Sequence, residues 1–160
     1  RRNGIRPAWQ ERPDARFDDL WRRCAGVSDV IGVRDAAFLA WRFADYPFGR
    51  NEFFTLASAQ DGRLLAYAAC QSLGSSLKVN DFLADPAEPG VRACLWRELS
   101  RAADARGHAN LSVEFCGDED IHRDLHAAGF RVRSERPFYV SRSSPLADAR
   151  WYVTAADEDA

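Results

Sequence analysis

Lysine is almost missing from this chain. Its 22 basic residues include a single lysine, Lys78, and they face 24 acidic residues, for a formal charge of −2. The basic excess that general nucleic-acid binders carry is therefore missing, which argues against that class of partner. The arginines that replace lysine are the better forks for carboxylates and phosphates, and they also fit an Ala- and Arg-rich genome bias. No apolar run is long enough to cross a bilayer and no signal peptide is visible, which points to a cytoplasmic protein. Cysteine is sparse: Cys24, Cys70, Cys94 and Cys116 stand far apart, with no C-x-x-C pair. That excludes a structural zinc site built on short spacing and predicts free, buried thiols in a reducing compartment. There is no G-x-S-x-G elbow, no Walker loop and no dinucleotide fingerprint. Hydrolase, P-loop and Rossmann chemistry have no support. The chain opens at Arg1 rather than Met, which reads as a processed or trimmed chain, or as a piece that follows a first domain.

What remains is an ordinary globular composition, 46% hydrophobic and 29% charged over 160 residues, enough for one domain with a real core. We expect a single domain over 1–160, loosely ordered at 1–13 and 155–160. In "DARFDDLWRRC", Phe17, Leu20, Trp21 and Cys24 fall at i, i+3, i+4 and i+7, the stripe of an amphipathic helix that Asp14 can cap. "RDAAFLAWRFADYP" reads as a second helix from Asp35, stopped by Pro47 and Gly49. "NEFFTLASAQ" and "RLLAYAACQSL" flank Asp61-Gly62, a tight-hairpin signal. "GSS" offers a second turn into "LKVNDFLA". A helix from Val91 carries Val91, Cys94, Leu95, Leu99 and Ala102 on one stripe and closes at Arg106-Gly107. "ANLSVEFC" alternates as a strand, "GDEDIHRDLHAAGF" is a short helix, and "RVRSERPFYVSRS" and "RWYVT" are two more candidate strands. A helical crossover makes one strand pair parallel. The fold class is α/β (α+β), a mixed and mainly antiparallel sheet with helices on both faces.

This order, together with "DFLADPAEPGVRACLWREL" and "LSVEFCGDEDIHRDLHAAGF", resembles the GNAT superfamily of N-acyltransferases over about Phe17 to Val140. "RDAAFLAWRF" and "WYVT" resemble a bacterial GNAT-like group linked with cell-surface polysaccharide and Fem-type transferases. The resemblance implies acetyl-CoA or another acyl-CoA as substrate, no metal, and a small-molecule or peptide amine as acceptor. It implies that backbone N–H groups near Phe82, Leu83 and Ala84 hold the pantetheine, and that the helix start at Gly90, Val91 and Arg92 holds the pyrophosphate as an N–H nest. The family loop runs Gln or Arg, two residues, Gly, one residue, then Gly or Ala. Of Ala87-Glu88-Pro89-Gly90-Val91-Arg92 only Gly90 conforms. Pro89 lacks a donor, Glu88 brings negative charge, and Arg92 either clamps a phosphate or blocks the approach. The family's Tyr, general acid for the thiolate, is Leu125 here, and Asp118 replaces an Asn.

Two carboxylates are candidate bases for the acceptor amine. Asp81 shares parity with Leu77, Val79 and Leu83, so it faces an apolar side or a cleft where burial raises its pKa; the plainer role is a carboxylate paired with Arg or backbone. Glu114 lies on the polar face of its strand, with a solvated or Arg-paired role as the plainer one. His122 and His126 share a helix face, but Arg123 stands where a metalloprotease places Glu, and no third ligand is near. Trp21, Trp41, Phe43, Tyr46 and Phe48 read mainly as core, one or two of them bordering an acceptor cleft. The alternatives to an acyl-CoA-dependent N-acyltransferase are an aminoacyl- or carrier-dependent transferase and a non-catalytic GNAT-like lobe packed on a partner lobe or a second copy.

Overall fold

The computed structural model describes residues 4–158. Five strands form the main sheet in the order β1-β3-β4-β5-β6, and three short ones form a second sheet in the order β2-β8-β7. β1 (Ile5–Gln10), β3 (Asn51–Ser58), β4 (Leu64–Leu73) and β5 (Ser76–Ala84) pair antiparallel. Helix α3 (Val91–Ala105) then crosses over, and β6 (Asn110–Val113) lies parallel to β5. This is the mixed, mainly antiparallel sheet with helices on both faces that the sequence implies.

Helix α1 (Ala15–Cys24) starts where Asp14 accepts the Arg16 N–H, and it buries Phe17, Leu20 and Cys24. The Phe17 ring meets Phe53 of β3 and Tyr67 of β4 at 5.5 and 5.1 Å. On the opposite face α3 buries Val91, Cys94, Leu95, Trp96, Leu99 and Ala103, with Trp96 edge-on to Phe82 at 4.8 Å. Each such buried apolar side chain stabilises by about 1.5–3 kcal/mol, so both helices are fixed by their stripes.

Several local expectations change. Residues 5–10 are not loose: they form β1, an edge strand where Pro7 is tolerated because one side needs no ladder donor. The C-terminal end is not loose at its start either, since Ala155–Asp157 form a 3-10 turn capped by Thr154. The expectations for residues 1–3 and 159–160 lie outside the described residues. The second helix is only Ala36–Leu39 (α2), continued by a π-helical turn, Ala40–Ala44, that leaves Trp41 exposed while burying Phe43. Phe48 is likewise exposed, not core. The Asp61-Gly62 connection is a five-residue loop, with Gly62 at φ 75°. "RVRSERPFYVSRS" forms no strand. Beside β8 (Trp151–Thr154) its place is taken by β2 (Val30–Ile31), in the segment read as a break. Cys24, Cys70 and Cys94 are buried free thiols, but Cys116 is exposed.

Candidate active site

The site is set by one irregularity in β5. Across from β4, Cys70 pairs with Val79 and Ala69 with Asp81, so Asn80 is an extra residue, a β-bulge. A bulge re-aims the side chains that follow it. Lys78, Asn80, Asp81 and Leu83 consequently point to the α1 face, whereas Leu77, Val79 and Phe82 point toward α3. The simple alternation that grouped Asp81 with Leu77 and Val79 fails at Asn80 for this reason.

Asp81 is fully buried. Its Oδ1 accepts from Arg34 Nε at 3.0 Å and Thr154 Oγ1 at 2.6 Å, and its Oδ2 accepts from Tyr67 Oη at 2.5 Å. Arg34, also fully buried, reaches on to Asp157 at 2.5 Å. Burial pushes the Asp81 carboxyl up, while Arg34, Thr154 and Tyr67 pull it back down. Arg34 is kept charged: burial works against it, and Asp81 and Asp157 more than offset that. Burial also drives the Tyr67 hydroxyl far above its ordinary value, with Asp81 adding to the effect. This is a closed ion-pair network, not a carboxylate presented to a cleft.

Beyond Val79 and Val113 the parallel pair separates. β5 continues to Ala84, while the other strand breaks at Glu114 and resumes as β7 (Phe115–Cys116), paired with β8. The result is a split between two strands, where the resemblance puts the pantetheine. The Asp85 N–H donates to Leu65 O on β4, so by alternation Phe82 and Ala84 turn their backbone groups into the split, while Leu83 turns its own to β4. Both carbonyls in the split already have donors from this chain. The Tyr152 hydroxyl, buried, donates to Phe82 O at 2.5 Å, and the Cys24 thiol donates to Ala84 O at 3.5 Å. Burial, with the Asp85 charge adding to it, pushes the Cys24 thiol up to about 12. Phe82, Phe115 and Tyr152 pack ring against ring at 5.1–5.6 Å across the opening.

The loop before α3 is also committed internally. Ala87 N–H bonds Asp85 Oδ1, Glu88 N–H bonds Asp85 O, and Val91 N–H bonds Glu88 O. Pro89 has no N–H to offer. Gly90 sits at φ 74°, the left-handed turn that lets α3 begin. Asp85 is fully buried against Arg23 and Arg63, and Arg63 also holds Glu88. Arg92 turns to α4 (Glu119–Ala127) and pairs with Asp124 at 2.5 Å. The Ala87, Glu88 and Val91 N–H groups and the Arg92 side chain, part of the expected pyrophosphate cradle, are thus engaged within the chain.

Glu114 stands at the strand break, apart from Asp81. Its Oε1 lies 3.5 Å from Lys78 and 3.3 Å from Arg136, and its Oε2 is buried with no hydrogen-bond partner. His122 packs on Phe115 at 5.2 Å. Among the described residues no group of His, Cys, Asp and Glu could hold a metal, and no helix is long and apolar enough to cross a membrane. Sequence reasoning missed Arg34, Tyr67, Tyr152 and Thr154. Only the alternation of "RWYVT" gave a signal, and it did not say which strand Tyr152 would meet.

No family model matches the chain, and no curated protein does. Solved structures do. The ribosomal-protein-S18-alanine N-acetyltransferase of Escherichia coli aligns over 93% of this chain and 90% of its own, at 16% identity and a TM-score of 0.64. A tandem GNAT protein from the clavulanic acid biosynthesis pathway aligns over 78% of this chain and 43% of its own, at 16% identity and TM-score 0.58. An aminoglycoside N-acetyltransferase in complex with CoA aligns over 89% of this chain and 99% of its own, at 14% identity and TM-score 0.54. The split, mainly antiparallel sheet and these neighbours agree: the chain has the fold of the GNAT N-acetyltransferases.

Proposed function

We propose that this chain is a non-catalytic GNAT-fold lobe, serving a partner lobe instead of turning over acyl-CoA itself. The observation that carries this reading is the Tyr152 hydroxyl on the Phe82 carbonyl: the chain's own side chain fills the split meant for pantetheine. The internally bonded loop and the Arg92–Asp124 pair support it. Thermal denaturation with acetyl-CoA or free CoA at about 1 mM tests it. Were CoA bound with a Kd near 10 μM, about 100-fold excess would add about 2.7 kcal/mol, raising Tm by roughly 5–11 °C for a domain of this size. We expect no rise beyond about 1 °C, and a rise of several degrees with either ligand refutes the reading.

One observation favours a second reading, an N-acyltransferase moving an acyl group from acyl-CoA to an amine of a small molecule or peptide. The parting of β5 from β7, the split that the resemblance assigns to the pantetheine, is present. In that reading Glu114, at the strand break, is the acceptor's base, because the oxygens of Asp81 are already engaged. The same titration decides between them, and Tyr152→Phe, which frees the Phe82 carbonyl, would then tighten CoA binding.

A further inference from the structure

One stretch with a strand's pattern has no strand to pair with. Over 130–141 the chain runs without helix, turn or bend. Among the described residues, no backbone N–H or carbonyl of 131–140 has a hydrogen-bond partner. The side chains nevertheless alternate as a strand's do. Arg136, Phe138 and Val140 turn to the body of the domain: Arg136 meets Glu114 and Glu158 at 3.3 and 3.9 Å, Phe138 packs edge-on to Trp151 at 5.2 Å, and Val140 is half-buried. Arg131, Arg133, Glu135 and Tyr139 lie exposed on the other side, Tyr139 at 86%. The place beside β8 that such a strand would take within this chain is held by β2.

Charge and proline placement define the missing partner. Of the described arginines and the lysine, only Arg131, Arg133 and Arg142 have no carboxylate or carbonyl partner. Arg131 and Arg133 stand two apart, hence on one face. In extended backbone each residue directs its N–H and C=O to one edge, and the next residue directs them to the other. The donor that Pro137 lacks therefore falls on the edge of the odd-numbered residues. The edge of Val132, Ser134, Arg136, Phe138 and Val140 keeps every donor and acceptor. Such a row is a template for an added strand. A polyanion, nucleic acid or lipid headgroups, would need only the arginines, and the chain's net charge of −2 works against drawing one in.

We propose that 131–140 is a docking strand, to which an extended acidic segment of a different protein adds antiparallel along the even-numbered edge. Carboxylates on alternate residues of that segment meet Arg131 and Arg133 on the outer face. Its apolar residues lie on the inner face beside Phe138 and Val140. A second copy does not suit: its edge strand β1 brings Arg6 and no carboxylate, and its own 131–140 brings the same arginines. This rests on the reading of the chain as a lobe that serves a partner, and it names the surface and the partner's chemistry.

The probe is a blocked eight-residue peptide alternating Glu and Val. Its controls are the Lys–Val counterpart and an isomer with four Glu followed by four Val. Calorimetry with the intact chain should give a Kd below about 1 mM for the alternating acidic peptide, and binding weaker by about tenfold or more for both controls. The amides of Ser134, Arg136 and Phe138 should gain protection from hydrogen exchange on binding. Ser134→Pro removes a donor from the pairing edge and should abolish binding. Glu135→Pro removes one from the edge of Pro137 and should not weaken it. Neither N–H is bonded in the free chain, so both variants should keep the wild-type circular dichroism. Arg133→Glu should shift preference toward the Lys–Val peptide. The proposal is overturned if the acidic peptide does not bind up to about 5 mM, if the isomer binds as well, or if folded Ser134→Pro binds normally. It is overturned too if those amides are already protected in the isolated chain, which would mean pairing within the chain or with a second copy. Tighter binding of an oligothymidylate or of phosphatidylglycerol vesicles than of the peptide would identify a polyanion site and overturn it as well. A CoA-dependent rise in Tm would refute the non-catalytic reading whatever the peptide does, and failure of the peptide leaves that titration unchanged.

Discussion

Replacing Asp81 by Ala should destabilise the protein far more than an ordinary core change. The carboxylate is fully buried and accepts from Arg34, Thr154 and Tyr67. Its removal leaves Arg34 buried with Asp157 as its remaining carboxylate, and breaking a buried pair in this way costs about 3–5 kcal/mol. The Tyr67 hydroxyl, stranded in the core, adds about 1–3 kcal/mol. The expected loss is at least about 4 kcal/mol, or a drop in Tm of roughly 8–16 °C at this chain length. Asp81→Asn keeps the shape and one acceptor, so its loss should be about half as large. Arg34→Met alone should match the Ala variant, whereas Arg34→Met combined with Asp81→Leu should lose much less than the two singles added together, because no charge is left unpaired. Urea unfolding followed by far-UV circular dichroism measures these four variants and the Asp81→Leu single that completes the cycle. An Asp81→Ala loss below about 1 kcal/mol, or strict additivity in the double variant, would show that the network is not the closed unit described here.

Three further outcomes follow from local geometry. Gly90→Ala places a Cβ at φ 74° and should cost about 1–2 kcal/mol, read as a lower urea midpoint at unchanged m-value. Asp14→Ala removes the α1 cap and should cost about 1 kcal/mol near neutral pH. The Arg16 hydrogen bond holds the Asp14 carboxyl below its usual range, so the cap's contribution is full above the unfolded pKa and fades as pH falls through the folded one. Wild type and variant should converge toward about pH 2 in acid titrations. Trp96→Phe discards a buried indole N–H that has no partner, so it should cost under about 1.5 kcal/mol by urea unfolding, against about 3–5 for Trp96→Ala.

Legibility varied with how local the cause was. The α1 stripe, the cap at Asp14, the helix start at Asp35, the three-strand meander and the α3 helix are written in spacing and turn residues, and they stand as read. Phe82 and Ala84 lie on β5 at the split and Gly90 at the start of α3, positions to which the resemblance points because it carries strand and loop together. The expectation for Asp81 rests on a parity with Leu77 and Val79 that the bulge breaks, and its partners were out of reach: Arg34, Tyr67 and Thr154 come from three other segments.

The sequence by itself determined helices α1, α3 and α4 and the central strands β3, β4 and β5, the shortage of lysine, and the poverty of the phosphate loop, because each depends on neighbours within a few residues. Tertiary structure alone decided what those features do. The single extra residue at Asn80 turns Lys78, Asn80 and Asp81 to one face. A strand from the far end of the chain brings Tyr152 onto Phe82 O, and Arg92 is claimed by Asp124 of the next helix. Bulge register and long-range side-chain pairing arise from packing the whole chain at once, which no local pattern of residues encodes.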